Sequence, residues 1–586
     1  MTLRFLGFTL RNWNDFPHHH FPPPIYSTET LAMLLKFAMV AQTREGMLRL
    51  LAVLAGVILT CAFAMPTASQ VPHFERGNAH TALIVDGEPY LALAVQANNS
   101  SNYPAVLEEV WPMMDRLRAN TLLMPVAWEQ IEPVEGQYDL SFLDTLVQQA
   151  RLHDKRLVLL WYGAFKNTAP AYAPAWVKRD GARFPRMRNP DGSAHYALSP
   201  HAEATRQADG RAFAQLMRRL AQIDPQHTVI MVQVENETGS YRLARDHADG
   251  PAQAFAEPIP KELADGLGIA RQSWKDAFGP RAEQFFTSWH MARYVEHVAQ
   301  AGLAEWDLPV MVNAALGDAF TDVGGDVGPS GGPNWNALPI WRIAAPSVDA
   351  YGPDIYNRDA ASVIRYLDHY GEGDWPLLVP EIGNASAYAR FIWPTLGKGG
   401  VMFSPFGMDA TGYVNHPLGA PELDEETLEA FAAPYRLLAP AARDWARIAM
   451  NHPTWGTARG PDGSDQFHTM GRWKIGAYYG RWMFGEDEWS FEDQQDHPLK
   501  DVPTGGTMIA QLADDIFLIT GRNVRVRLAL ANPATGEQAQ IIEAQEGSFV
   551  DGRWVMRRHW NGDQVDYGFN FGKQPVWLRV EMGTYR

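Results

Sequence analysis

The sequence predicts an α/β fold, a (β/α)8 TIM barrel followed by a smaller C-terminal β-sandwich, and three observations carry that prediction. Short apolar runs alternate with helical patterns from residue 73 to about 445. After residue 450 the pattern changes to strict period-two alternation with recurring Gly, Asp and aromatic residues. And 586 residues exceed what one hydrophobic core usually supports, so at least two domains are expected.

The first strand candidate is Leu91–Val95, ending in Gln96, and a helical pattern follows from Val106 to Arg118. Thr121–Val126 is the second strand, and Ser141-Phe142-Leu143-Asp144 reads as a capping box opening a helix to His153. Leu143, Leu146, Val147 and Ala150 share one face of that helix. The third strand is Arg156–Trp161; a helix over Ala212–Ile223 leads to the fourth, Thr228–Val234. Four further apolar runs, Leu308–Val312, Val348–Tyr351, Pro376–Val379 and Gly400–Phe403, complete the set. Near-continuous apolar strands suit a parallel sheet covered on both faces. A doubly wound open sheet would need a Gly-rich phosphate turn after the first strand, and there is none. The cluster Gly324-Gly325 and Gly331-Gly332 reads as a long loop, and Ser240 to about Arg281 as an insertion at the rim. A helical stretch, Glu425–Ala449, closes the 73–445 barrel. The alternation Val524-Arg525-Val526-Arg527-Leu528 then marks the 450–586 sandwich.

Composition narrows the function. A net charge of −17 argues against a nucleic-acid partner, which needs basic surface. Twenty Trp and twenty Tyr supply flat apolar faces of the kind on which sugars stack, as well as ordinary core filling. The single cysteine, Cys61, excludes a disulfide framework and a multi-Cys metal site, and the histidines show no metal-ligand spacing, so no metal or cofactor is expected. Cys61 sits in an apolar run, Leu50–Ala64, preceded by Met47 and Arg49 and followed by small residues to Ser69. That run is short of the ~20 residues of a membrane span. Residues 47–69 therefore read as a signal peptide, giving an exported protein, periplasmic or secreted, without stable membrane insertion after processing. Residues 1–46, with His18-His19-His20 and Pro22-Pro23-Pro24, read as a non-native or disordered extension ahead of a true start at Met47.

In a (β/α)8 barrel the chemistry lies where strands end and loops begin. Here the fourth strand runs into Glu235-Asn236-Glu237 and the seventh into Glu381. The first ends at Gln96, the second near Trp128-Glu129, the third at Trp161-Tyr162 and the sixth near Asp354-Tyr356. Carboxylates directly after apolar strands are costly to bury unless paired or used, and each alone also fits a helix cap or an ion pair. Two of them across a barrel mouth are what glycoside hydrolysis requires: one carboxyl to protonate the leaving oxygen, one carboxylate to attack or to activate water.

The segment Val232-Gln233-Val234-Glu235-Asn236-Glu237-Thr238-Gly239-Ser240-Tyr241 resembles the acid/base motif of glycoside hydrolase family 35, the β-galactosidases. Val379-Pro380-Glu381-Ile382-Gly383 is similar to its nucleophile segment, and Trp128-Glu129-Gln130-Ile131-Glu132-Pro133-Val134-Glu135-Gly136-Gln137-Tyr138-Asp139 to the stretch after its second strand. The likeness covers roughly residues 73–420, and the tail resembles an accessory β domain of some bacterial members. The resemblance implies a retaining, exo-acting enzyme that removes terminal β-D-galactosyl residues through a covalent glycosyl-enzyme. Glu237 would be the acid/base and Glu381 the nucleophile. It also implies that Asn236 bonds the sugar 2-hydroxyl and that Tyr356, with Tyr351 as rival, contacts the nucleophile. Glu235 would be structural or bind a sugar hydroxyl, and Trp128, Trp161 and Asn167 would line the pocket. The expected substrate is a β-galactoside, with plant cell-wall oligosaccharides as one source. Another β-glycosidase or endo-β-glycanase of the same clan, or a non-catalytic carbohydrate-binding barrel, are the alternatives.

Overall fold

Each apolar run between residues 91 and 403 forms a strand, and eight of them close into one parallel barrel. The structure, a computed structural model, describes residues 70–322, 327–479 and 503–586. The expectations for 1–46 and 47–69, and those for Cys61, Gly324 and Gly325, lie outside the described residues.

The described chain opens with a small antiparallel sheet, β1 (His73–Arg76), β2 (Thr81–Val85) and β3 (Glu88–Tyr90). The barrel starts with β4 (Ala92–Gln96), β5 (Thr121–Ala127) and β6 (Arg156–Lys166). A hairpin, β7 (Arg186–Arg188) and β8 (Ala194–Leu198), interrupts it before β9 (Val229–Asn236). Then come β10 (Val310–Ala315), β11 (Ala350–Ile355), β12 (Leu378–Ile382) and β13 (Met402–Pro405), which pairs back to β4.

Side-chain parity divides the barrel into two cores. Ala92, Ala94, Leu123, Val158, Leu160, Met231, Met311, Ala350, Leu378 and Met402 pack together inside it, with Leu83, Val85 and Tyr90 of β2 and β3 in the same cluster. Their neighbours Leu93, Val95, Leu122, Leu157, Leu159, Val232, Val312, Tyr351 and Val379 pack outward against the helices. This alternation is the period of two that a strand imposes. The outer ring contains the helices Leu107–Leu117, Ser141–Leu152, Glu203–Ile223, Ala282–Leu303, Leu338–Ala344, Ala360–Tyr370, Ile392–Gly397 and Glu425–Leu438.

Three local readings change. Asp139, not Ser141, holds the start of the Ser141–Leu152 helix, accepting from the Ser141 N–H at 3.0 Å. The helix expected from Ala212 begins at Glu203 and runs through Gly210, a poor helix former whose lack of a side chain lets the neighbouring helix carrying His297 and Ala301 pack close. The stretch Glu425–Ala449 breaks into two helices at Ala439–Ala441, around Pro440.

The C-terminal strands are β14 (Thr454–Ala458), β15 (Gln466–Met470), β16 (Trp473–Tyr478), β17 (Gly506–Ala513), β18 (Ile516–Arg522) and β19 (Val524–Leu530). They continue with β20 (Gln538–Val550), β21 (Arg553–His559), β22 (Phe569–Phe571) and β23 (Trp577–Tyr585). They form a six-stranded sheet, β14-β17-β18-β23-β20-β21, and a four-stranded one, β15-β16-β19-β22. Trp473 and Ile475 of the smaller sheet share a core with Ile509, Phe517, Ile519, Leu578 and Val580 of the larger. Barrel and sheets belong to one compact unit, Ser69–Arg586. No helix among the described residues is long and apolar enough to cross a membrane.

Candidate active site

Continuing the inward parity of each strand to its C-terminal end yields a ring of polar side chains. It reads Gln96 on β4, Asn313 on β10, and Asp354 on β11 with Tyr356 just beyond it. Two irregularities add the glutamates. The β12–β13 register shifts between Val379 and Ile382, a bulge that turns Glu381 inward where plain alternation would turn Ile382. At the end of β9 both Glu235 and Glu237 adopt left-handed backbone, φ 63° and 46°. Residues other than glycine avoid that region, and such strain concentrates at functional sites. The Glu237 N–H donates to Asn313 Oδ1 at 2.9 Å, and its carbonyl accepts from the Thr168 N–H at 3.0 Å.

Glu381 is held from three sides. Its Oε1 accepts from Gln96 Nε2 at 2.9 Å and Asn236 Nδ2 at 3.3 Å, and its Oε2 accepts from the Tyr356 hydroxyl at 2.9 Å. Asp354, its register partner on β11, accepts from Asn313 Nδ2 at 2.6 Å. Glu237, Asp354 and Glu381 each bring one carboxylate oxygen within 4.8 Å of the others, all three buried. Among the described residues this is the acid cluster close enough for a cation to bridge. A cavity of about 870 Å³ opens over it, walled by Asn99, Lys166, Asn167, Tyr356, Arg358 and Phe406 among others.

The electrostatics separate the carboxyls. Burial, then the charge of Glu381, pushes Glu237 up to about 7, against an opposing pull from Lys166. Burial followed by Glu381 and Glu237 raises Asp354 well above the ordinary carboxyl range. A group balanced near neutrality can donate a proton and take it back.

Of the residues singled out in the sequence, Glu237, Glu381 and Tyr356 wall the cavity, with Asn236 on Glu381. Asn167 also walls it and accepts a hydrogen bond from the Lys166 ammonium. Tyr351, the rival of Tyr356, has the wrong parity: it faces outward, edge-on to Trp341 and Trp375. Three expectations are corrected. Trp161 shares the outward parity of Leu157 and Leu159, packs on Phe213 and donates to Asp209 at 2.8 Å. β6 runs on to Lys166, so Trp161 is not at a strand end at all. Trp128 is fully buried, donating to Glu132 Oε2 at 2.9 Å with Trp176 edge-on to it. For Glu235 the sugar-binding alternative is corrected in favour of the structural one: it is turned away from the cavity by its left-handed backbone and accepts from the Phe165 N–H at 2.7 Å and the Ala164 N–H at 3.2 Å.

Glu235 and Asp209 form a buried carboxyl pair behind the wall. Asp209 also accepts from Tyr294 at 2.8 Å, and burial with the Asp209 charge raises Glu235 well above its ordinary range. Gly163 makes room for it. A Cβ there would lie 2.6 Å from Asp209 Oδ1, Glu235 Oε1 and Trp161 Nε1. Gly163→Ala is therefore expected to lower stability by roughly 1–3 kcal/mol in denaturant melts, as overpacking does; an unchanged midpoint would contradict the packing described.

Sequence reasoning passed over Asp354 and Asn313 as site residues, and over Gln96 as a partner of Glu381. Extending strand parity through Ala350, Gly352, Asp354 and Tyr356 is the signal that finds the first. Lys166 lay beyond the expected end of its strand. From the Ser240–Arg281 insertion, which folds into short helices, Tyr241 reaches the cavity wall.

Residues 101–299 match the model of glycoside hydrolase family 42, described as Beta-galactosidase, and residues 431–572 match a Domain of unknown function, DUF5597. A Beta-galactosidase of Xanthomonas manihotis is 30% identical over 206 residues, 33% of this chain and 31% of that one. Beta-galactosidase Bga of Halorubrum lacusprofundi is 26% identical over 159 residues, 26% of this chain and 21% of that one. The chain thus spans about a third or less of the length of the curated relatives it matches. A solved β-galactosidase from Bacillus circulans sp. alkalophilus aligns with a TM-score of 0.44 at 14% identity, covering 61% of this chain and 57% of that one. One from Rahnella sp. R3 aligns at 0.43 and 15%, covering 62% and 61%. The match therefore falls to family 42 where the strand-end motifs resemble family 35, a related family of the same clan of barrel glycosidases. Residues 101–299 thus resemble glycoside hydrolase family 42, and they contribute strands to an eight-stranded barrel.

Proposed function

We propose that the protein is a retaining exo-β-galactosidase, with Glu237 as acid/base and Glu381 as nucleophile. The observation that carries this reading is the approach of the two glutamates from the ends of β9 and β12, with carboxylate oxygens within 4.8 Å. Retaining enzymes hold their two carboxyls about 5–5.5 Å apart, whereas inverting ones leave about 6.5–9.5 Å for a water. The family 35 resemblance covers both glutamates, and the family 42 match, residues 101–299, includes Glu237 but ends before Glu381.

In the first step Glu381 attacks the anomeric carbon while Glu237 gives its proton to the departing oxygen. Gln96, Asn236 and Tyr356 fix the attacking carboxylate by three hydrogen bonds, so little reorganisation is left for the reaction itself. Once Glu381 is esterified its negative charge is gone. The second cause of the raised Glu237 pKa goes with it, and Glu237 becomes the base that takes a proton from the incoming water.

The sign for pH follows. The acid form of Glu237 is required for the first step, so kcat/KM is expected to fall as pH rises through about 7. Lys166 pulls the Glu237 pKa down. Lys166→Met is therefore expected to move that alkaline limb to higher pH in a kcat/KM profile. A limb that stays or moves to lower pH would remove Lys166 from this role.

Galactose preference is tested by comparing rates on aryl β-galactoside, β-glucoside, β-mannoside and α-L-arabinoside. The β-galactoside is expected to be fastest; a faster β-glucoside would overturn the sugar assignment, and binding of galactosides without cleavage of any would overturn the enzyme. We also propose export of the protein, supported by the signal-peptide pattern of residues 47–69. Finding intact residues 47–69 on protein recovered from the cytoplasm would contradict it.

A further inference from the structure

After β12 delivers Glu381, the chain turns through Ser386–Phe391 and the helix Ile392–Gly397. The C-terminal sheet comes down on this stretch with almost nothing between the backbones. A Cβ on Gly456 would lie 2.2 Å from the Trp393 carbonyl oxygen, and one on Gly506 would lie 2.3 Å from the Trp393 ring. Beside this contact lies Arg390, only 2% exposed. Among the described residues all of its hydrogen-bond partners are backbone carbonyls. Nε donates to Arg459 at 3.0 Å, Nη1 to Pro503 at 3.1 Å and to Ala387, and Nη2 to Arg358 at 2.7 Å.

A buried guanidinium bonded only to carbonyls among the described residues is costly to hold, and burial brings its pKa down to about 10, leaving it charged at neutral pH. What that charge accomplishes is visible in its partners. Arg459 and Pro503 belong to the C-terminal module, whereas Arg358 walls the cavity. The same wall is braced a second time: the Tyr388 hydroxyl donates to the Tyr356 carbonyl at 2.7 Å and to the Leu418 carbonyl at 3.3 Å. The Arg358 guanidinium lies over the Tyr388 ring, 5.4 Å from its centre. Tyr356 in turn donates to Glu381 at 2.9 Å.

We propose that Arg390 is a positioning residue through which the C-terminal β module, β14 to β23, overlapped by the 431–572 match of unknown function, holds the Tyr356–Arg358 wall and so keeps Tyr356 on Glu381. The module is then part of the scaffold of the substrate pocket rather than an independent appendage. A planar fork of five donors can bind four carbonyls from four chain segments at once; an ammonium of three donors cannot.

The kinetic arm of the test rests on the glycosidase reading; the exchange arm does not. In the full chain, R390K is expected to lower kcat on an aryl β-galactoside about tenfold or more, since small misplacements of a reacting group are expensive. In a Y356F background the same substitution is expected to cost little further, because the group it positions is already gone. An equal loss in both backgrounds, or wild-type kcat in R390K, would overturn the proposal. In hydrogen exchange, R390K is expected to accelerate residues 356–359 and 386–391 as well as 456–460 and 503–506. Acceleration confined to the last two would mean that Arg390 only anchors the C-terminal sheet. If R390K does not accumulate, R390Q, which keeps a planar amide with two donors in place of the fork, takes its place with the same two outcomes. A wild type that cleaves no glycoside would sink the glycosidase reading and leave the exchange result to decide this one.

Discussion

Replacing Glu381 by glycine is expected to lower turnover of an aryl β-galactoside by about 10⁴-fold or more, the scale seen when a covalent nucleophile is removed. Folding should survive, because Glu381 and Tyr356 line a cavity, and water entering the vacated space can take up the hydrogen bonds that Gln96, Asn236 and Tyr356 lose. The space vacated by the side chain lies on the face opposite the leaving group. Added azide is therefore expected to restore turnover by attacking there directly, yielding α-galactosyl azide. Rescue that yields the β-azide, or a variant of undiminished rate, would assign the nucleophile elsewhere. Removing the Glu381 charge also removes the second cause of the raised Glu237 pKa, so Glu237 in a Glu381→Gln variant is expected to titrate below its wild-type value of about 7 by carbon-13 NMR.

Glu237→Ala is expected to divide substrates by leaving group. For an unactivated glycoside the departing oxygen needs a proton, and the loss should be about 10²–10⁴-fold, the usual size of a general-acid contribution. A dinitrophenyl β-galactoside needs no proton to depart, so its first step should be nearly unimpaired and the glycosyl-enzyme should accumulate. Azide would then attack that intermediate and give β-galactosyl azide, the opposite anomer from the Glu381→Gly product. The alkaline limb near pH 7 should vanish with the carboxyl that causes it. A uniform loss across leaving groups would mean that Glu237 shapes the pocket without transferring a proton.

The barrel was legible because apolar strands separated by helical patterns leave few architectures open, and every strand candidate lies within a few residues of its place in the structure. Strand ends were less legible than strand centres, and the site residues are at the ends. Parity alone would have placed Trp161 with the outward core and Asp354 inside the mouth. Parity also fails where the backbone departs from it. The left-handed residues at Glu235 and Glu237 and the register shift before Ile382 are what turn Glu237 and Glu381 to the cavity and Glu235 away. No periodicity announces such departures; strand-end position together with the motif resemblance singled out Glu237 and Glu381, and both wall the cavity. Gln96 and Glu381 stand on either side of β13 and 285 residues apart, and Asn313 and Asp354 on neighbouring strands 41 residues apart, so no pattern within a single strand carries a trace of either pair. The role of Arg390 was illegible for the same reason, its four carbonyl partners being spread from Arg358 to Pro503.

The central claim is that Glu237 and Glu381 act as acid/base and nucleophile at a separation suited to a double displacement. Proton NMR of the first sugar released from an aryl β-galactoside, recorded before mutarotation, tests it most directly. The account predicts β-galactose as the initial product, with the α-anomer growing in only as the sugar equilibrates. α-Galactose appearing first would contradict it, because a single displacement by water needs a gap between the carboxyls wider than the one described here.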